Sequence, residues 1–128
     1  MSPRPRTVLI VEDDAQIRKM YRTALLLAGF AVREATDGLD ALRALDEGTP
    51  DLVILDLGLP LMSGFSIHQE LAAQAHTRHI PVVIVTGSDM NLDHLDVPCV
   101  LRKPVDPDQL VKTVHSCLGT GSPGAGHT

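Results

Sequence analysis

The chain is 128 residues long, which bounds it to one compact domain that can bury well over half of its unfolded surface without disulfides or a structural metal. A formal net charge of −5 argues against a basic nucleic-acid-binding face, and no apolar run has the length of a membrane span or signal peptide. Aromatic residues are only 2%, so the core must be aliphatic. Cys99 and Cys117 are too few and too isolated to read as a disulfide framework. They are expected to be small core hydrophobes in a reduced, cytoplasmic setting.

Residues 7–11 form a nearly continuous apolar run, as a strand covered on both faces requires. A helical pattern follows over 15–28, where Ile17, Met20, Tyr21, Ala24, Leu25 and Ala28 step by three or four. Gly29 is placed to end it. Residues 30–35 read as a second, more polar strand, expected at a sheet edge. Thr36 or Asp37 then caps a second helix ending at Gly48. The third strand, 52–55, runs straight into Asp56.

Residues 58–64, with Pro60, read as loop, and a third helix is expected over about 65–75. A fourth strand covers 82–85 and ends at Thr86; a short fifth lies near 99–101, just before Lys103. The last helix has Asp106 as N-cap, Pro107 in its first turn and Gly119 after its end. Residues 1–6 are expected to be an N-terminal extension, 7–119 the domain, and 120–128 a disordered tail rich in Gly, Ser and Pro. Strand–helix alternation at these spacings predicts a doubly wound α/β fold, a parallel five-stranded sheet with helices on both faces. The order 2-1-3-4-5 is adopted from known sheets of this size rather than deduced.

In such sheets functional groups gather beyond the carboxyl ends of the strands, at the switch point between strands 1 and 3. Strand 1 ends in Glu12, Asp13 and Asp14, strand 3 in Asp56, strand 4 in Thr86 and strand 5 in Lys103 and Pro104. Two carboxylates about 4 Å apart repel by roughly 4 kcal/mol at an effective dielectric constant near 20, so the cluster calls for a cation. All the ligands offered are oxygens, which favours Mg2+ over zinc. A neutralised Asp56 is then a nucleophile toward a phosphoryl donor, with Lys103 and the Thr86 hydroxyl stabilising the transferred group. Asp14 reads more simply as the cap of the first helix. His68, His76, His79 and His94 share no metal-ligand pattern and read as surface residues.

At these positions the sequence resembles the receiver domains of two-component response regulators. The resemblance is carried by Val11-Glu-Asp-Asp-Ala-Gln-Ile-Arg18, by 50–60 with Met62 and Gly64, by 81–86 and by Lys103-Pro104. It implies a flavodoxin-like fold, Mg2+ held by Glu12, Asp13, Asp56 and the backbone carbonyl of Gly58, and phosphorylation of Asp56. It further implies Thr86 as the switch hydroxyl, Lys103 as the phosphoryl-contacting lysine and a cis Lys103–Pro104 bond. The implied donor is a phosphohistidine on a histidine kinase or histidine phosphotransfer protein, and the implied output is altered binding to a downstream protein. Such a protein catalyses only its own phosphorylation and dephosphorylation.

Two features depart from that pattern. The interval from Thr86 to Lys103 is short, so the family's fourth helix is expected to be shortened or absent. Val100 stands where the family carries a switch aromatic. Gly58 and Ser88, both small, are expected to shield a phosphoryl group poorly from water. The competing reading is a phosphorylation-independent pseudo-receiver acting as an interaction module. A flavodoxin-type flavin protein lacks its phosphate loop here, and an Asp-x-Asp phosphohydrolase lacks its second acid because position 58 is Gly.

Overall fold

The computed structural model describes residues 4–58, 64–87 and 99–119. In chain order the elements are β1 (Thr7–Val11), α1 (Ala15–Leu27), β2 (Ala31–Ala35), α2 (Gly38–Glu47) and β3 (Leu52–Asp56). They continue with α3 (Gly64–Ala73), β4 (Val82–Thr86), β5 (Cys99–Arg102) and α4 (Pro107–Leu118). The sheet is parallel throughout, in the order β2-β1-β3-β4-β5. The expected doubly wound architecture is therefore present, with the polar β2 at one edge and β5 at the other.

The period-two geometry of a strand sends alternate side chains to opposite faces, and the sequence fills both faces with aliphatic residues. Leu9, Val11, Val53, Leu55 and Ile84 pack with Ala41, Leu45, Ile67 and Leu71 from α2 and α3. Val8, Ile10, Ile54, Val83 and Val85 pack with Tyr21 and Leu25 of α1 and with Leu110 and Val114 of α4. Each central strand is packed between helices on both faces, which positions the strand ends. The in-register pairing of Val11 with Leu55 and of Asp56 with Val85 brings those carboxyl ends to one level.

Local signals place the helix starts. The Asp14 carboxylate accepts from the Gln16 and Ile17 amides at 2.9 and 3.0 Å, so it is the cap of α1. Asp37, one of the two candidates, caps α2 by accepting from the Asp40 amide at 2.8 Å. Asp106 caps α4, accepting from the Asp108 and Gln109 amides. Gly29 and Gly119 take the left-handed conformation (φ 96° and 72°) that ends helices. Boundaries shift slightly: β2 begins at Ala31, with Phe30 buried beneath it, and α3 ends at Ala73. Beyond α3 the Thr77 hydroxyl donates to the Leu71 carbonyl at 2.8 Å and holds the chain against the helix.

One expectation is corrected. Cys99 and Cys117 are joined as a disulfide, with Cα atoms 6.7 Å apart. They sit 18 residues apart in sequence, but α4 folds back along β5, so its last turn lies beside the strand's first residue. The shortened fourth helix, Ser88, His94, Pro60, Met62 and the tail 120–128 all lie outside the described residues.

Candidate functional site

The carboxyl ends of β1, β3, β4 and β5 meet in a cleft of about 380 Å³ lined by Glu12, Asp13, Asp56, Gly58, Thr86 and Lys103. All the residues singled out from the sequence are thus brought together. Glu12, one residue beyond β1, is 1% exposed; Asp56, the last residue of β3, is 5% exposed and Thr86, the last of β4, 2%. Asp13 is exposed at the rim. Glu12, Asp13 and Asp56 each offer a carboxylate oxygen, and these oxygens lie within 4.8 Å of one another.

Each carboxylate is oriented by specific partners. Asp56 Oδ1 accepts from the Gly58 amide at 2.9 Å, while Oδ2 faces Lys103 Nζ at 3.4 Å. Gly58 itself comes close to Asp56: a Cβ there would lie 3.6 Å from Asp56 Oδ1. Glu12 Oε2 accepts from the Asp14 amide at 3.1 Å. Glu12 Oε1 is buried 3.1 Å from Lys103 Nζ, but off the line of a hydrogen bond, and has no other donor among the described residues. Lys103 is in turn fixed by its backbone, its amide donating to the Thr86 carbonyl at 2.8 Å, and is followed by a cis bond to Pro104.

Burial makes this an electrostatically loaded site. It raises the Glu12 carboxyl above the usual carboxylate range, and the Asp56 charge adds to the rise against the opposing Asp14 amide and Lys103. Burial alone would pull the Lys103 ammonium down, but Glu12 and Asp56 outweigh it and leave Lys103 firmly protonated. The Tyr21 phenol, buried under the same acids, is pushed up by burial and then by Glu12 and Asp56.

Two residues, Arg18 and Tyr21, were given no role near the site by the sequence. The Arg18 guanidinium donates to the Glu12 backbone carbonyl at 2.9 Å and to Glu34 at 3.0 Å, tying the end of β1 to β2. Tyr21 lies in the core beneath one face of the sheet, near enough to Glu12 and Asp56 for their charges to act on its phenol. Both sit at ordinary helix positions, and only the fold reveals what they face.

A parallel sheet in this order, with acids closing β1 and β3, a hydroxyl closing β4 and a lysine after β5, is the arrangement of a receiver domain. The sequence profile of the response regulator receiver domain matches residues 8–115, and the chain belongs to that family, the receivers of two-component signalling. It is 32% identical over 120 residues to the polar-differentiation response regulator DivK of Brucella anthropi, covering 90% of this chain and 98% of that protein. Among solved structures, the chemotaxis response regulator CheY4 of Vibrio cholerae superposes with a TM-score of 0.82 at 28% identity, covering 89% of this chain and 99% of the other. The bacteriophytochrome response regulator AtBRR gives 0.79 at 33% identity, covering 94% and 96%.

The acidic cluster fits a divalent cation of the kind receiver domains bind. Its donors are all hard oxygens, and buried Glu12 Oε1 is left without a hydrogen-bond donor at the cleft. Among the described residues no helix is long and apolar enough to cross a membrane.

Proposed function

We propose that this chain accepts a phosphoryl group on Asp56 from a phosphohistidine of a histidine kinase or histidine phosphotransfer protein, and that the modified form changes its binding to a downstream protein. The single observation that carries this reading is the convergence of Glu12, Asp13, Asp56, Thr86 and Lys103 from four strand ends into one cleft. Mg2+ would be held by Asp13, Asp56 and the Gly58 carbonyl, with Glu12 completing the cluster. When bound, it neutralises these acids and draws charge from the phosphoryl oxygens.

The chain's own residues supply the rest. Asp56 is held by the Gly58 amide on one oxygen and faced by Lys103 on the other, so it is oriented before a donor arrives. Its carboxylate forms the new P–O bond as the P–N bond to the donor histidine breaks. Lys103 is held protonated by Glu12 and Asp56 and so is charged when phosphoryl oxygens enter. Thr86 presents its hydroxyl from the end of β4. The chain turns over no separate substrate. In this reading 7–119 is the functional domain, flanked by 1–6 and 120–128, and the setting is cytoplasmic. The net charge of −5, and a cleft whose described lining residues include a single cation, Lys103, favour a protein partner over nucleic acid or membrane.

The test is intact-mass spectrometry after incubation with Mg2+ and acetyl phosphate, beside an Asp56→Ala control. One Mg2+-dependent phosphoryl adduct, absent from the control, supports the reading. Should neither acetyl phosphate nor beryllofluoride engage the parent protein, the phosphorylation-independent pseudo-receiver becomes the better account.

A further inference from the structure

Cys99 and Cys117 are the two cysteines of the chain, and the fold brings them together at the edge of the sheet away from the acidic cleft. Cys99 opens the edge strand β5; Cys117 lies in the last turn of α4, and both are half-buried. The segment they enclose contains Lys103, the cis Pro104 and the Asp106 cap. A bond between them therefore closes a loop around the residue whose ammonium faces Glu12 and Asp56. Without it, α4 is held to the rest of the fold by the apolar contacts of Leu110 and Val114, with Val111 and Leu118 beside them, and by the Arg6 guanidinium donating to the Leu118 carbonyl at 3.3 Å.

We propose that Cys99 and Cys117 form a reversible thiol–disulfide site, oxidised by a low-molecular-weight disulfide of the glutathione class, whose state sets how firmly α4 and the Lys103 segment are fastened to β5. This rests on the cytoplasmic setting proposed above, where disulfides are transient and redox-sensing rather than permanent staples. It does not depend on phosphorylation of Asp56. In the reaction, one cysteine thiolate attacks a sulfur of glutathione disulfide and expels one glutathione thiolate. The second cysteine, losing its proton to solvent, then attacks the protein sulfur of the mixed disulfide and releases the second glutathione. One Sγ–Sγ bond forms, two protein thiols are oxidised, and one glutathione disulfide is reduced to two thiols.

The experiment equilibrates the full chain in buffers of graded glutathione to glutathione-disulfide ratio, quenches with iodoacetamide and reads intact mass. The expected result is a single transition between a doubly alkylated form and an unalkylated form two hydrogens lighter than the dithiol. Cys99→Ser and Cys117→Ser variants should carry at most one glutathione. Thermal unfolding should place the oxidised form about 10 °C above the reduced one, from the entropy of closing a loop of this length. A dithiol that survives every ratio, a disulfide that excess glutathione leaves intact in the folded protein, or disulfide-linked dimers would each overturn the proposal. So would equal melting of the two forms. Because the parent protein alone gives the decisive readouts, a variant that fails to fold does not blunt the test.

Discussion

Neutralising Asp13 should stabilise the metal-free protein and abolish most of its response to Mg2+. Asp13 lies at the exposed rim with a carboxylate oxygen within 4.8 Å of those of both Glu12 and Asp56. At that separation and the dielectric constant of water, and at a pH where Glu12 is ionised, each pair repels by about 0.9 kcal/mol. The nearby Lys103 ammonium offsets part of this, leaving about 1 kcal/mol gained by Asp13→Asn, which corresponds to a melting temperature raised by about 4 °C. Mg2+ should reverse the ranking: at ten times its Kd it adds about 1.4 kcal/mol to the parent, and far less to a variant lacking a ligand. The assay is thermal unfolding in EDTA and across a Mg2+ series at constant ionic strength, since screening alone would otherwise mimic binding. A variant no more stable than the parent in EDTA, or equal Mg2+ stabilisation of both, would refute the reasoning.

Three further outcomes follow from the same geometry. Burial holds the Glu12 carboxyl above its ordinary 4.5, so the folded metal-free protein keeps a proton that the unfolded chain loses. Stability should therefore fall as pH rises from 4.5 through the raised value, and Glu12→Gln should flatten that slope in urea midpoints measured in EDTA. Asp106→Ala strips the amides of Asp108 and Gln109 of their acceptor and should cost about 1 kcal/mol by urea unfolding. Leu110, wholly buried between α4 and the sheet, should cost roughly 3 kcal/mol when cut to Ala, with no change in urea m-value.

Much of the fold was legible because its signals are local. The central strands are short runs of Val, Ile and Leu, and Asp14, Asp37 and Asp106 announce their helices by a side chain bonding two or three residues ahead. The site was legible for a different reason: a parallel sheet collects its strand ends, so Glu12, Asp56, Thr86 and Lys103 could be brought together once the strand order was adopted from known sheets, and the resemblance to receiver domains named the same residues. What escaped was contact between residues that share no pattern. The Cys99–Cys117 pairing needs β5 and α4 to lie side by side, and the Arg18 contact with the Glu12 carbonyl needs the actual turn between β1 and α1. The burial of Glu12 beside Lys103 is likewise a product of depth, which no residue spacing records.

The central claim, that Asp56 is the acceptor, is tested most directly by locating the modified residue. The protein is phosphorylated with Mg2+ and acetyl phosphate, the acyl phosphate is reduced with borohydride, and the product is mapped by peptide mass spectrometry. Reduction converts a phosphorylated aspartate to homoserine, and the account predicts homoserine at position 56 alone, with none in an Asp56→Ala variant. Homoserine at Asp13 or elsewhere in the parent, or undiminished labelling of the variant, would contradict it.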